Sequence, residues 1–404
     1  MSPIPSDRIY SLEGKGLKLT TAEDIAPYVE ELRKIENLEE LRLNGNTVGP
    51  EAAQALASAL KTKTTLKVAT LHDIFTGRLK DDVKASLEAL AEALVELPEL
   101  TELNLSDNAF GPLGATAMAP FLSKHTGLQV LKLNNNGLGI QGGQTIAAAL
   151  VECQKECLRL GRPAALHTLI CGRNRLENGS APAFANAFGT LKSMRHVSMP
   201  QNGIRPEGIA ELVAGLANNE NLTTLDLQDN TFTATGSKAL AEALAGWQAL
   251  EVLNVGDCLL GAEGGRLVVE ALGQRASLKN INLQYNEIEM DGALALAESV
   301  RGLKALVNLE LNGNRFDAES NAVEMIKAAL AENDIDDDVL GSLSDMEELT
   351  DDEEEEEDEE EDEEEDEDEE EKKNDTEHAP KTASEALSSE LDDLVSQMKE
   401  QLNV

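Results

Sequence analysis

One six-residue pattern, Leu-x-Leu-x-x-Asn, recurs along this chain and leaves few ways for the polypeptide to fold. It reads Leu41-Arg-Leu43-Asn-Gly-Asn46, Leu103-Asn-Leu105-Ser-Asp-Asn108, Leu131-Lys-Leu133-Asn-Asn-Asn136, Leu225-Asp-Leu227-Gln-Asp-Asn230 and Leu309-Glu-Leu311-Asn-Gly-Asn314. Variants end at Asn174, Asn202, Cys258 and Asn286, and one more carries Ile74 at the Asn place. From position 46 onward the intervals are 28, 34, 28, 38, 28, 28, 28, 28 and 28 residues, a register that chance does not keep.

Each Leu-x-Leu puts two apolar side chains on one face of a short strand, because side chains alternate across a strand. The Asn that follows can satisfy backbone groups of the turn, where the strand ladder has ended. A helical stretch completes the unit: in residues 51–60, Ala53, Leu56, Ala57 and Leu60 share one face. Strand and helix repeated in register predict an α/β chain, a leucine-rich-repeat horseshoe with an inner parallel sheet and outer helices, similar to the ribonuclease-inhibitor solenoid. One unit cannot bury its own apolar face, so neighbours stabilise each other and the ends need caps. Ten strands at about 4.8 Å spacing make a sheet on the order of 43 Å across, wide enough to grip a folded protein.

The pattern divides the chain into an N-terminal cap over residues 1–36, about ten repeats over 37–335, a disordered acidic tail over 336–380 and a short amphipathic helix over 381–404. Charge marks the tail. Residues 1–330 hold 40 acidic and 30 basic residues, net −10, and residues 331–404 hold 36 and 4, net −32, which together give the −42 of the whole chain. Residues 351–371 are 21 consecutive Asp or Glu, and like charges at that density keep a segment extended. Such a run either solvates the chain or attracts basic partners at a salt-sensitive rate. Beyond it, Leu387, Leu391, Leu394, Met398 and Leu402 keep helical spacing, suited to docking on a partner or to an export signal.

Several function classes are set aside by what the chain lacks. The first seven residues hold no apolar run, and nowhere do about eighteen uncharged apolar residues follow one another, so secretion and a membrane span are not expected. Cys153, Cys157, Cys171 and Cys258 are too few and too irregular for a disulfide framework or a zinc site and read as reduced, buried thiols. There is no G-x-x-x-x-G-K-[ST] loop, no H-E-x-x-H and no G-x-S-x-G. No autonomous catalytic site, cofactor, metal or nucleic-acid partner is expected, and the chain is expected to act as a monomer.

The repeat rule breaks most clearly in the second unit, at His72-Asp73-Ile74-Phe75-Thr76-Gly77-Arg78-Leu79-Lys80. Sequence rules tend to fail where function takes over. Arg78 and Lys80 could project from the rim of the sheet toward phosphate or acidic groups of a partner; read alone, Arg78 is equally a solvated loop arginine and Phe75 a plug at the edge of the core. Following repeats add Asn134-Asn135-Asn136-Gly137, Arg173-Asn174-Arg175 and Gln201-Asn202-Gly203-Ile204-Arg205 on the same rim. Asn136 doubles as a repeat Asn. The two longer repeats, enlarged after Ile74 and around residues 155–162, flank this stretch, and insertions in solenoids often mark the binding face.

At these residues the chain resembles the Ran GTPase-activating proteins. The resemblance runs over roughly residues 10–350 and is carried by Asp73-Ile-Phe-Thr-Gly-Arg78, Ser106-Asp-Asn-Ala-Phe-Gly-Pro112, Leu122-Ser-Lys-His-Thr126, Asn135-Asn-Gly-Leu-Gly139, Cys171-Gly-Arg-Asn-Arg-Leu-Glu-Asn-Gly-Ser180, Gln201-Asn-Gly-Ile-Arg-Pro-Glu-Gly208 and Leu225-Asp-Leu-Gln-Asp-Asn-Thr-Phe-Thr233, with the acidic run after the last repeat. It implies an activator of GTP hydrolysis that binds Ran in its GTP form, with GTP and Mg held by Ran and a Ran-binding protein able to join as a third member. It implies a cytoplasmic and perinuclear place in nucleocytoplasmic transport. Arg78 by itself suggests an arginine finger; the family is understood to work without one, holding the GTPase's own Gln in place. The resemblance then gives Asn136 and Arg78 the activating roles, and Asp73, Lys80, Arg173, Arg175 and Arg205 contacts with Ran. The chain as it stands shows neither the plant nor the animal targeting domain, which points to a fungal or protist type. The alternative is a leucine-rich-repeat scaffold or inhibitor that binds without activating.

Overall fold

The computed structural model describes residues 3–346; the acidic run 351–371 and the helix expected over 381–404 lie outside the described residues. The chain enters through strands β1 (Ile9–Ser11) and β2 (Lys18–Leu19) and helix α1 (Ala22–Lys34). The first full repeat adds β3 (Glu40–Arg42), β4 (Thr47–Val48) and α2 (Pro50–Leu60). Strand and helix then alternate through β5 (Val68–Thr70), α3 (Lys80–Leu94), β6 (Glu102–Asn104), α4 (Gly111–Lys124), β7 (Val130–Lys132) and α5 (Gly139–Arg159). The second half runs through β8 (Thr168–Ile170), α6 (Glu177–Leu191), β9 (His196–Ser198), α7 (Pro206–Leu216), β10 (Thr224–Asp226) and α8 (Thr233–Leu244). It ends with β11 (Val252–Asn254), α9 (Gly261–Leu272), β12 (Asn280–Asn282), α10 (Met290–Val300), β13 (Asn308–Glu310) and α11 (Asn321–Glu332).

All strands except β2 and β4 join one parallel sheet in chain order, with registers such as Leu103 against Leu131 and Leu225 against Leu253. The sheet has eleven strands, one more than the ten repeats predict, because the N-terminal cap contributes β1 beside β3. Neighbouring strands sit about 4.8 Å apart and packed helices about 8–10 Å apart, so a stack with one of each per repeat curves with the sheet inside. Between the layers the pattern leucines are buried, Leu131 at 0% and Leu133 at 1% exposure, as are the helix faces such as Ala53, Leu56 and Leu60. Each fully buried Leu contributes about 1.5–3 kcal/mol.

The pattern asparagines form a second, polar core. Asn136 Nδ2 donates to the carbonyls of Leu105 and Leu133, both at 3.0 Å, and its Oδ1 accepts from the backbone N–H of Asn108 at 3.0 Å. Asn174 takes the N–H of Asn136, Asn202 that of Asn174, and Asn230 that of Asn202. Each carboxamide thus ties the turn of its own repeat to the turn before it. At Cys258 the chain of amides is interrupted: the thiol faces the Leu227 carbonyl at 3.5 Å and the N–H groups of Asn230 and Asp229 face its sulfur. Burial pushes the Cys171 and Cys258 thiols up to about 12, so both stay protonated. All four cysteines are free.

At the opposite ends of the strands, side chains cap carbonyls that the helices leave over. Lys63 Nζ donates to Arg33 and Ile35, Asn219 Nδ2 to Phe188, Arg275 Nη1 to Ala245 and Asn333 Nδ2 to Val300. His125 Nε2 bonds the Leu100 carbonyl at 2.7 Å. The insertion around 155–162 belongs to this edge: it lengthens α5 to Arg159 and returns through a turn before β8. It therefore does not flank the loops at the other ends of the strands, as the repeat spacing suggested.

The last repeat is closed by a 3-10 turn, Asp337–Leu340, that packs on β13 and α11 and buries Leu340. The chain then crosses the sheet end, where Asp345 Oδ2 accepts from Tyr285 at 2.9 Å and Asn312 at 2.8 Å. Hydrogen bonds from Tyr285, Asn312 and Ser344 hold the Asp345 carboxyl below its usual range. Residues 336–346 are thus part of the folded unit, so the acidic tail cannot begin at 336; the aromatic and amide partners that fix this segment lie in the loops after β12 and β13.

Two outcomes test this account. Cys258→Asn supplies the missing amide oxygen and is expected to stabilise the domain by about 1 kcal/mol, whereas Asn202→Ala costs about 3 kcal/mol, both read from urea denaturation. Burial lowers the His125 imidazole below its ordinary value of 6.5. Its stabilising contribution is present above pH 6.5 and is lost as pH falls from there toward the depressed folded value. Denaturation midpoints measured from pH 7.5 to 5 should fall, less steeply in His125→Gln.

Candidate functional site

The residue just before the pattern Asn adopts a left-handed backbone in repeat after repeat: Asp73 (φ 48°), Asp107 (59°), Asn135 (53°), Arg173 (57°), Gln201 (53°), Asp229 (55°), Asp257 (54°) and Tyr285 (51°), with Gly45 and Gly313 at the ends. Gly, Asn and Asp tolerate this region best, so their frequency here has a steric reason. The next residue must turn inward to make the amide ladder, and the left-handed residue carries its own side chain out. Its backbone N–H is bonded to the following repeat, Asn135 to Gly172 and Arg173 to Pro200, both at 2.9 Å. The result is a rigid row of outward side chains, one per repeat.

Asn135, Arg173 and Gln201 stand next to one another at the middle of that row, and all three are exposed. Asn135 Nδ2 donates to Asp107 Oδ1 at 3.0 Å, which orients the carboxamide and turns its oxygen toward solvent as an acceptor. Arg175 and Arg205 are exposed one step outward, Arg205 at the start of α7 where its N–H bonds Asn178 Oδ1 at 2.7 Å. No ion pair ties Arg173, Arg175 or Arg205 to any described acidic residue, so their charge is available. Lys80 is exposed at the first position of α3.

Three expectations change. Asn136 is fully buried with both amide atoms committed to the ladder, so its side chain cannot reach a partner. The exposed amide in this loop is Asn135. Arg78 does not project: Nε donates to Thr47 Oγ1 at 2.9 Å, Nη1 to Thr20 Oγ1 at 3.0 Å, and Nη2 to the carbonyls of Thr47 and Leu19 at 3.1 and 3.3 Å. Asp73 is half-buried and accepts from Thr76 Oγ1 at 2.6 Å, which braces its own loop. Phe75 is a core residue, 3% exposed. Lys80, Arg173, Arg175 and Arg205 stand where an interface could use them.

A parallel inner sheet, outer helices, a buried asparagine ladder and a row of exposed left-handed residues define a leucine-rich-repeat protein whose strand-end loops present fixed polar groups. The leucine-rich-repeat family model matches residues 34–57, 97–119, 218–241 and 276–297. Among curated proteins the chain is 49% identical over 197 residues to Ran GTPase-activating protein 1 of Xenopus laevis, a match spanning 48% of this chain and 34% of that one. It is 41% identical over 237 residues to Ran GTPase-activating protein 1 of Saccharomyces cerevisiae, spanning 57% of this chain and 58% of that one. A pig ribonuclease inhibitor is 26% identical over 240 residues, 51% of this chain and 49% of that one. The chain thus spans about a third to somewhat over half the length of the two activators it matches. Over those spans it is similar to the Ran GTPase-activating proteins.

The two neighbouring asparagines are predicted to separate stability from surface chemistry. Asn136→Ala should lower stability by about 3 kcal/mol, since it leaves several buried backbone groups unpaired. Asn135→Gly, which keeps an easy left-handed backbone, should leave it within about 0.5 kcal/mol. Denaturation curves of the two variants side by side decide this.

Proposed function

We propose that this chain stimulates GTP hydrolysis on the GTP-bound form of the small GTPase Ran, as a cytoplasmic activator that ends a transport cycle. The observation that carries the reading is the exposed, oriented carboxamide of Asn135 at the centre of a rigid loop rim. A small GTPase already holds GTP and Mg and owns a Gln that must orient the attacking water. An amide acceptor fixed by its own hydrogen bond to Asp107 can take a Gln N–H and hold the side chain in the attacking geometry, a gain in orientation rather than in new chemistry. Water loses access to the phosphate as the rim closes over it.

The arginines beside Asn135 supply binding. Arg173, Arg175 and Arg205, with no ion-pair partner among the described residues, are suited to acidic groups around a nucleotide site, and their effect should fall on association and its salt dependence. A Ran-binding protein can complete a ternary complex on surfaces of Ran that the rim leaves open.

Single-turnover hydrolysis by purified Ran-GTP with catalytic amounts of the full chain tests the reading. Wild type should accelerate hydrolysis by about 10³-fold or more. Asn135→Ala should lose about 10²-fold in the rate at saturation, and Arg173→Glu should weaken half-saturation with that rate nearly kept. Tight binding of Ran-GTP without acceleration would leave a leucine-rich-repeat scaffold or inhibitor and reject the activator.

A further inference from the structure

The second repeat carries six more residues than most of its neighbours; part of the extra length falls in the loop before α3 and the rest lengthens α3 itself. Left to itself a longer loop costs order, because each fixed residue gives up backbone freedom. Here a side-chain network supplies the order. Asp73 Oδ1 takes the Thr76 hydroxyl, and the Thr76 carbonyl takes the Thr47 hydroxyl at 3.0 Å. Thr47 Oγ1 in turn takes Arg78 Nε, and the other two guanidinium nitrogens reach Thr20 Oγ1 and the Leu19 and Thr47 carbonyls.

Those acceptors lie on or directly after β2 and β4, the two-stranded ribbon that joins the N-terminal cap to the first repeat outside the inner sheet. Thr20 also adjoins the start of α1, where Asp24 and Thr21 form a reciprocal cap. The Asp24 carboxyl is held low first by the Thr21 and Thr20 backbone N–H groups, with the Arg78 charge adding to this. Gly49 admits this close approach: a Cβ there would stand 2.8 Å from the Thr20 carbonyl oxygen and 3.3 Å from Arg78 Nη1. Immediately after Arg78 the chain presents Leu79, 74% exposed, and Lys80, exposed, at the N-terminus of α3.

We infer that Arg78 is a positioning residue: its guanidinium latches the enlarged loop onto the N-terminal cap, and this latch sets where Leu79 and Lys80 meet the GTPase. The inference rests on the activator reading. To act as a finger, Arg78 would give up four hydrogen bonds before making its first contact. As a latch it acts with every bond intact, and its loss displaces neighbours that do touch the partner. Removing the two threonine hydroxyls, which take two of its four hydrogen bonds, must then weaken activation in the same way as removing the arginine, though less completely.

The test is steady-state stimulation of Ran-GTP hydrolysis by the full chain in wild type, Arg78→Ala, Arg78→Lys, the double variant Thr20→Val/Thr47→Val, and the triple variant that adds Arg78→Ala to the double. A latch predicts that Arg78→Ala raises KM by about tenfold and the double variant by about threefold, both with kcat within about twofold of wild type, that the triple variant is no worse than Arg78→Ala, and that Arg78→Lys recovers part of the loss. Hydrogen exchange of residues 76–80 should quicken alike in Arg78→Ala and in the double variant, which separates a loosened loop from a failure to fold. A collapse of kcat in Arg78→Ala that the double variant does not share overturns the latch and makes Arg78 a direct actor. Wild type that gives no stimulation overturns the activator reading, and this inference with it, whatever the variants do.

Discussion

Buried carboxamides hold this protein in register. Leucine burial supplies the larger share of the stabilisation, but burial has no direction, and it would tolerate many ways of stacking one repeat on the next. The amides of Asn108, Asn136, Asn174, Asn202 and Asn230 allow only one, since each must meet a carbonyl and an N–H of the preceding turn. Leaving any of them unpaired in the core would cost more than the bond itself is worth. That asymmetry turns a row of weak interactions into a strict spacing rule.

The same constraint shapes the surface. With the amide position turned inward, the preceding residue is driven into a left-handed backbone and its side chain outward, so structural and interactive residues alternate along every loop. Chemistry at the outward position can change from Asp107 to Asn135 to Arg173 to Gln201 with little effect on the ladder beneath. A side chain fixed in this way is already in place when a partner arrives, so little ordering is left for the encounter to supply.

The sequence shows the repeats, the parallel sheet, the outer helices and the rim of interest through spacing alone. It does not show which asparagine of Asn134-Asn135-Asn136 faces out, since three identical side chains differ only in the backbone that carries them. The alternation of Gly, Asp and Asn just before the pattern position, at Gly45, Asp107 and Asn135, is the trace that a left-handed backbone leaves. Nor does sequence reveal what Arg78 holds, because its acceptors lie 31 and 58 residues away along the chain. The eleventh strand was hidden for a related reason: Ile9–Ser11 has none of the repeat's spacing and is recruited by pairing with β3. The cap of the last repeat was masked by composition, since Asp336, Asp337 and Asp338 read as the onset of the acidic tail although Leu340 beyond them is buried.

That closing turn bears on how copies of the chain meet. A stack of identical units has two unlike ends, and an open last strand would be a template for the first strand of another molecule, repeated without limit into a filament. The turn at Asp337–Leu340 occupies the flank of β13, and the segment pinned by Tyr285 and Asn312 sets the carboxylate of Asp345 over the neighbouring loops. Polymerisation is thus discouraged by shape and by charge at the terminus where the modular pattern gives out, and a solenoid built to grow is left finite.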